Sequence, residues 1–254
     1  MTRFYLFIDF DGVLCDSQLE CLASSWYGYH ILYKGENPAA VRLETKRRFA
    51  ALRPYVRTGG DYLIIQEIIE KKIEITSQEG FDSYLNSAEK SSGTGLYAKH
   101  FYEARAHMLK SYAASWIKLN PLYAHVRSGL RRWAGCDRFY ILSTKQPAYI
   151  ARILKSEHIN MPLKRILHSP GRGKLEIIRR HLQADIGSRA VLVDDQLDHL
   201  IGNRESRITP FLASWGYVRP EWLTGNHGVE ILSPERFLQL MNDSLPFPGK
   251  PRLH

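Results

Sequence analysis

The sequence predicts an α/β protein, a doubly wound parallel sheet with an inserted α-helical domain, and three observations predict it. Short apolar runs recur along the chain, each stopping at a polar group. Runs this short and this apolar are covered on both faces, which favours parallel pairing. In the second half of the chain they alternate with segments of helical spacing, the pattern of a doubly wound sheet. Between the first run and the second, residues 17–119 carry helical periodicity.

The first run, Phe4-Tyr5-Leu6-Phe7-Ile8, ends at Asp9-Phe10-Asp11-Gly12. Ligands of open α/β sheets bind at the carboxyl ends of the strands, so two carboxylates here stand where chemistry is expected. Asp-x-Asp-Gly is also an ordinary turn sequence whose side chains bond their own backbone. A calcium loop is a third reading, since Glu20 is twelfth counting from Asp9. That reading fails, because Val13 and Leu14 stand where an oxygen ligand and a glycine are needed.

Within the insert, Ser17-Gln18-Leu19-Glu20 reads as a capping box opening a helix. Tyr62, Ile65, Ile68 and Ile69 repeat at helical spacing after a cap at Asp61, and the break Ser91-Ser92-Gly93-Thr94-Gly95 precedes an amphipathic stretch from Tyr97 to Trp116. Arg53-Pro54-Tyr55-Val56-Arg57-Thr58-Gly59-Gly60 is a glycine-ended loop between helices.

The sheet resumes after Pro121. Phe139-Tyr140-Ile141-Leu142 runs into Ser143-Thr144-Lys145, and a further strand is expected over Arg165 to His168. Lys174 follows the loop Ser169-Pro170-Gly171-Arg172-Gly173 and opens a helix through Leu182. Arg189 to Val193 then runs into Asp194-Asp195, with Asp198 close behind. Ile208 to Ser214 is the last expected strand, and Pro210 within it predicts a bulge or an edge position. The proline-rich segment Leu245 to Pro251 reads as a loosely ordered tail.

Taken singly, each polar group has a structural reading: a hydroxyl capping a turn, a solvated helix start, an acidic pair favoured by a helix dipole. Their order is the stronger signal. Acidic pair, hydroxyl, lysine and second acidic pair, three of them behind a strand, resemble the motifs of the haloacid dehalogenase (HAD) superfamily, and most closely its phosphoglycolate-phosphatase-like branch. Asp9, Asp11 and Gly12 match the first motif, Ser143 the second, Lys174 the third and Asp194-Asp195 the fourth. Ala213-Ser214-Trp215-Gly216-Tyr217 resembles the segment that follows the fourth motif in that branch. The resemblance covers residues 1–16 and 120–240 and implies a Rossmann-like catalytic core over 1–16 and 120–244. It also implies a C1-type helical cap over 17–119, leaving 245–254 as the tail.

What the resemblance implies chemically is Mg²⁺-dependent hydrolysis of a small phosphorylated metabolite through an aspartyl-phosphate. Asp9 would be the nucleophile, which divides one hard step into two easier ones. Asp11 would protonate the leaving oxygen and then deprotonate the attacking water. Ser143 and Lys174 would stabilise the phosphoryl group, with Gly12 and Thr144 also lining the phosphate site. Asp9, the backbone carbonyl of Asp11 and the fourth-motif acid would hold Mg²⁺. Arg53 and Arg57, in the position of the cap's specificity loop, would meet an acidic substrate group; surface solvation is their plainer reading.

The fourth motif departs from the commoner family pattern, in which a second acid follows the Asp by four residues. Asp194 as that Asp places Asp198 at the right spacing, whereas Asp195 places His199 there. Asp195 is the expected metal ligand, with Asp194 and Asp198 as alternates or as holders of water and lysine. Asp11 argues against a dehalogenase, which needs no second acid. Leu175 and His168 rule out a nucleotide-binding loop at Gly171-Arg172-Gly173-Lys174. A phosphomutase and a phosphonatase of the same superfamily remain as alternatives.

The composition agrees with a compact enzyme of 254 residues with 44% hydrophobic content. No signal or membrane-spanning segment is expected, and Cys15, Cys21 and Cys136 have no metal spacing, so a reducing cytoplasm is the expected location. The net charge of +9 and the run Lys46-Arg47-Arg48 raise a rival reading, a polynucleotide phosphatase or nucleic-acid-binding module. Steering of small anionic substrates explains the same charge, and the chain lacks an aromatic RNA-binding signature.

Overall fold

The apolar run at the N-terminus becomes strand β1 (Phe4–Ile8), with Leu6, Phe7 and Ile8 fully buried. In the computed structural model, which describes residues 3–37, 40–93, 95–170 and 173–244, it is the third strand of a six-stranded sheet. The others are β2 (Phe139–Ser143), β3 (Ile166–His168), β4 (Arg189–Asp194), β5 (Ile208–Ala213) and β6 (Glu230–Leu232). All pairs are parallel and the order is β3-β2-β1-β4-β5-β6. The chain thus winds outward from β1 to β3, returns to lay β4 on the other side of β1, and winds outward again. The reversal lies at β1, where a doubly wound sheet opens a crevice at its carboxyl edge.

The strand from Ile208 is not an edge strand: it pairs with β4 on one side and β6 on the other. Pairing with β6 begins only at Phe211, one residue beyond Pro210, so the donor that the proline lacks is not required. The true edge on this side is β6, whose three residues carry too little pattern to be read from sequence.

The chain divides into two units, one formed by Met1–Cys15 with Leu122–His254 and the other by Asp16–Pro121. The second is helical: α1 (Gln18–Trp26) running on into a π-helical stretch (Tyr27–Tyr33), α2 (Leu43–Leu52), α3 (Tyr62–Glu70), α4 (Gln78–Ser92), α5 (Leu96–Ser111) and α6 (Ala113–Lys118). Phe49, Tyr62, Phe81 and Phe101 are among the side chains that give it a core of its own. The expected capping box at Ser17 does not form; Ser17 makes no side-chain cap bond. Glu20 is fully buried instead and takes Arg105 Nε and Nη2 at 2.8 Å each, with Trp116 Nε1 at 3.1 Å and Ser24 Oγ at 2.7 Å. A capping box does occur between Thr58 and Asp61, ahead of α3. The expected stretch from Tyr97 to Trp116 is two helices, α5 and α6, broken at Tyr112.

In the sheet unit, α7 (Ala124–Trp133), α8 (Pro147–Ser156) and α9 (Lys174–Gln183) precede β2, β3 and β4 respectively, and α10 (Pro234–Ser244) follows β6. Leu175, Ile178 and Leu182 of α9 pack with Phe7, Leu142, Leu192 and Leu212, which share one face of the sheet. Trp133 of α7 meets Phe237 of α10 edge-on, ring centroids 5.7 Å apart. The expected proline-rich tail, and Gly171 and Arg172 of the loop before Lys174, lie outside the described residues. Among the described residues no helix is long and apolar enough to cross a membrane.

Candidate active site

Parallel pairing brings the separate motifs level with one another. Ile8 is in register with Ile141 on one side and Val193 on the other, and the Asp9 backbone N–H donates to Val193 O at 2.9 Å. Asp9 therefore leaves the sheet beside Asp194, with Ser143 ending the neighbouring strand. After Asp9 the chain turns tightly: Leu14 and Cys15 N–H groups both bond Phe10 O, and Gly12 N bonds Cys15 O. Gly12 has φ +87°, a conformation that glycine adopts without a side-chain penalty.

The two N-terminal carboxylates do not bond their own turn, as a bare Asx turn would have them do. Each has its own lysine. Lys174, first residue of α9 and fully buried, places Nζ 2.9 Å from Asp9 Oδ1 and 2.6 Å from Asp194 Oδ2. Lys145, only 2% exposed, donates from Nζ to Asp11 Oδ1 at 2.8 Å.

Burial pushes the Asp9 carboxyl above the usual carboxylate range; Lys174 opposes that shift and Asp194 adds to it. Burial pushes Asp194 the same way but is outweighed by Lys174 and His199, whose Nδ1 lies 3.0 Å from Asp194 Oδ2, so this carboxyl is held below the range. Lys174 is raised, because Asp194 and Asp9 outweigh the burial of its ammonium. Two neighbouring acids are thus pushed in opposite directions, an arrangement common at catalytic sites.

Asp194 and Asp195 have different neighbours. Asp194 is saturated from within: Lys174 and His199 on Oδ2, and the Gln196 backbone N–H on Oδ1 at 2.9 Å. Asp195 accepts from the Tyr217 backbone N–H at 2.7 Å. It is pressed between two glycines: a Cβ on Gly12 would stand 1.9 Å from its Oδ2, and one on Gly216 would stand 2.3 Å from its Cβ. Trp215 Nε1 bonds Val13 O at 3.0 Å and so anchors that glycine segment to the turn after β1.

One carboxylate oxygen from each of Asp9, Asp194 and Asp195 lies within 4.8 Å of the others, and Asp198 is not in that group. All three carboxylates are buried, and Lys174 sits against two of them, Asp9 and Asp194. An all-oxygen donor set suits a hard divalent ion such as Mg²⁺. A second grouping, His30, Glu36 and Glu70 in the helical unit, is occupied by Lys34, whose Nζ lies 2.8 Å from Glu36 and 2.6 Å from Glu70.

Among the other expected site residues, Ser143 is buried and its Oγ accepts from the Lys145 backbone N–H at 3.2 Å. Thr144 is half-buried beside it, its carbonyl 3.2 Å from His168 Nε2. Arg53 and Arg57 belong to the helical unit. Arg57 is committed there to a two-pronged contact with Asp82, at 2.5 and 2.9 Å, which accounts for its position without a ligand. The Arg53 guanidinium lies 5.2 Å from the Tyr62 ring centroid.

Sequence reasoning assigned no role to Lys145, to the Gly216-Tyr217 backbone or to His199 as an Asp194 partner. The sequence did carry signals for them: a lysine two residues beyond the Ser143 that closes a buried strand, and the segment Ala213 to Tyr217.

No family model and no curated protein matches the chain. Solved structures do. It is similar to a predicted phosphatase from Clostridium acetobutylicum, with 13% identity, 96% of this chain and 100% of that one covered, and a TM-score of 0.53. A haloacid dehalogenase-like family hydrolase from Streptococcus pneumoniae gives 16% identity, coverage of 94% and 97%, and a TM-score of 0.54. A predicted phosphoglycolate phosphatase from Haemophilus somnus gives 13% identity, coverage of 94% and 99%, and a TM-score of 0.54. The doubly wound sheet with its helical insert is therefore the fold of the haloacid dehalogenase-like hydrolases.

Proposed function

We propose that the chain is a Mg²⁺-dependent phosphatase that hydrolyses a phosphate monoester of a small metabolite through an intermediate on Asp9. The observation that carries this reading is the convergence of Asp9, Lys174, Asp194 and Asp195 at the carboxyl edge of the sheet, where β1 and β4 lie side by side. A bound Mg²⁺, held by Asp9, Asp195 and the Asp11 carbonyl, would neutralise phosphoryl oxygens and lower the repulsion that a carboxylate meets on approaching them.

The remaining work falls to the chain's own side chains. A carboxylate oxygen of Asp9 attacks phosphorus, and the ester P–O bond breaks with its electron pair on the leaving oxygen. Asp11 supplies the proton that this oxygen takes up. Water then attacks the phosphorus and gives its proton to Asp11, and the bond to Asp9 breaks to return the free carboxylate. Lys174 fixes the orientation of Asp9 and offsets its charge, and Asp194, itself bonded to His199, holds Lys174 from behind. Ser143 offers a hydroxyl to the phosphoryl oxygens.

The test is turnover of 4-nitrophenyl phosphate with and without Mg²⁺. Hydrolysis that requires the ion and falls by about 100-fold or more in Asp9→Asn and in Asp11→Asn supports the reading. Equal rates in wild type and both variants overturn it. Tight, steeply salt-dependent retention of oligonucleotides with no turnover of small esters would also overturn it, in favour of a nucleic-acid binder.

A further inference from the structure

Lys145 is a buried cation for which phosphate-ester chemistry, as set out above, has no use. Its Nζ lies 2.8 Å from Asp11 Oδ1 and 5.8 Å from the Phe10 ring centroid. Its backbone N–H bonds Ser143 Oγ, so the residue links the end of β2 to the turn after β1. The lysine side chain is 1% exposed and that of Asp11 14%. An arriving ester therefore reaches Asp11 before it can reach the ammonium, and the contact with Asp11 gives Lys145 a route to the reaction.

Asp11 needs such an anchor. It sits in the turn after β1 and in no strand, so the sheet does not hold its side chain. Buried ion pairs contribute little net stability compared with well-packed apolar residues. A structural purpose alone would be met as well by a methionine or a leucine in that space.

We infer that Lys145 is a positioning residue: its ammonium grips Asp11 Oδ1 and so presents Oδ2 in a fixed direction for proton transfer. In the first step Oδ2 loses its proton to the leaving oxygen as the ester P–O bond breaks. In the second, Oδ2 takes a proton from the attacking water as the bond between phosphorus and Asp9 breaks. Lys145 keeps its own protons in both steps. The inference rests on the reading of Asp11 as the acid–base group.

The test uses Lys145→Met, Lys145→Arg and Asp11→Asn, with release of the phenol measured in the first turnover over a series of substituted phenyl phosphates. Protonation of the leaving oxygen matters most for unsubstituted phenol and least for 4-nitrophenol, which departs readily as an anion. In Lys145→Met, phenyl phosphate is expected to lose about 100-fold and 4-nitrophenyl phosphate less than about 5-fold, the signature of impaired acid catalysis. Lys145→Arg, which keeps a donor for Asp11, is expected to restore the shallow dependence of the wild type.

Equal losses across the series, or a wild-type dependence, in Lys145→Met would overturn the inference while Asp11→Asn still shows the steep one. A wild-type dependence in Asp11→Asn would instead remove the acid–base assignment on which it rests. Lys145→Gln, read against the same slope, decides the matter if the methionine variant does not fold.

Discussion

Lys174 Nζ stands 2.6 Å from Asp194 Oδ2, and both side chains are fully buried. The ammonium that faces Asp9 is thus clamped from the adjacent strand, which makes Asp194 a holder of the lysine while Asp195 lies between two glycines.

Removing the clamp leaves a buried cation with one carboxylate fewer. Asp194→Asn is expected to lower stability by about 3 kcal/mol, as does breaking other buried pairs, and to lower turnover as Lys174 loses its orientation. Urea unfolding measures the first effect. Because the Asp194 carboxyl is held below the ordinary range, its contribution is present above that range and disappears as the pH falls beneath it. The difference between wild type and Asp194→Asn should therefore close in acid.

Asp9 has the opposite sign. Burial, the largest influence, raises its carboxyl above the ordinary range, so the folded protein binds a proton that the unfolded chain has already lost. Stability without metal then declines as the pH rises through the window above the ordinary carboxylate value. Asp9→Asn should flatten this decline and raise the melting temperature at neutral pH in the presence of a chelator. Added Mg²⁺ should stabilise the wild type and do so far less for Asp9→Asn. Calorimetry at several pH values reads both.

Gly12→Ala tests the close approach to Asp195. The added Cβ would lie 1.9 Å from Asp195 Oδ2 at a backbone φ of +87°, so both the carboxylate and the turn must move. A displacement of this size at a reacting centre costs about 100-fold in turnover, with a stability loss of about 1–3 kcal/mol from the strained backbone. Steady-state kinetics and thermal unfolding on one preparation separate the two.

The helical unit has its own buried pair, Glu20 with Arg105. Arg105→Met alone should cost about 3–5 kcal/mol by leaving Glu20 buried without its main cation. The double variant Glu20→Met with Arg105→Met should recover most of the loss. A double-mutant cycle from denaturant unfolding gives the coupling energy.

The strands were legible where apolar runs met polar groups: β1, β2 and β4 each end within a residue of the run that foretells them. Three-residue β6 was not, and Pro210 suggested an edge because sequence cannot show that a neighbouring strand begins one residue later. Ser17 and Glu20 have the spacing of a capping box, yet Glu20 is claimed by Arg105, 85 positions away, and no local pattern reveals such a partner. Within the site the same limit applies. The sequence favoured Asp195 as the ligand and kept Asp194 and Asp198 as alternates; Lys174 and His199 beside one, and Gly12 with Gly216 around another, are the neighbours in space that tell Asp194 and Asp195 apart.

The strand order has a consequence for synthesis. β1 leaves the ribosome first, but its partners are residues 139–141 on one side and 189–193 on the other. Until those emerge, the apolar segment that leads to Asp9 has no sheet to join, whereas the helical residues behind it have a core of their own. The growing polypeptide is thus expected to fold its helical unit before its sheet, and to bring Asp9, Lys174 and Asp194 together only when translation has passed β4.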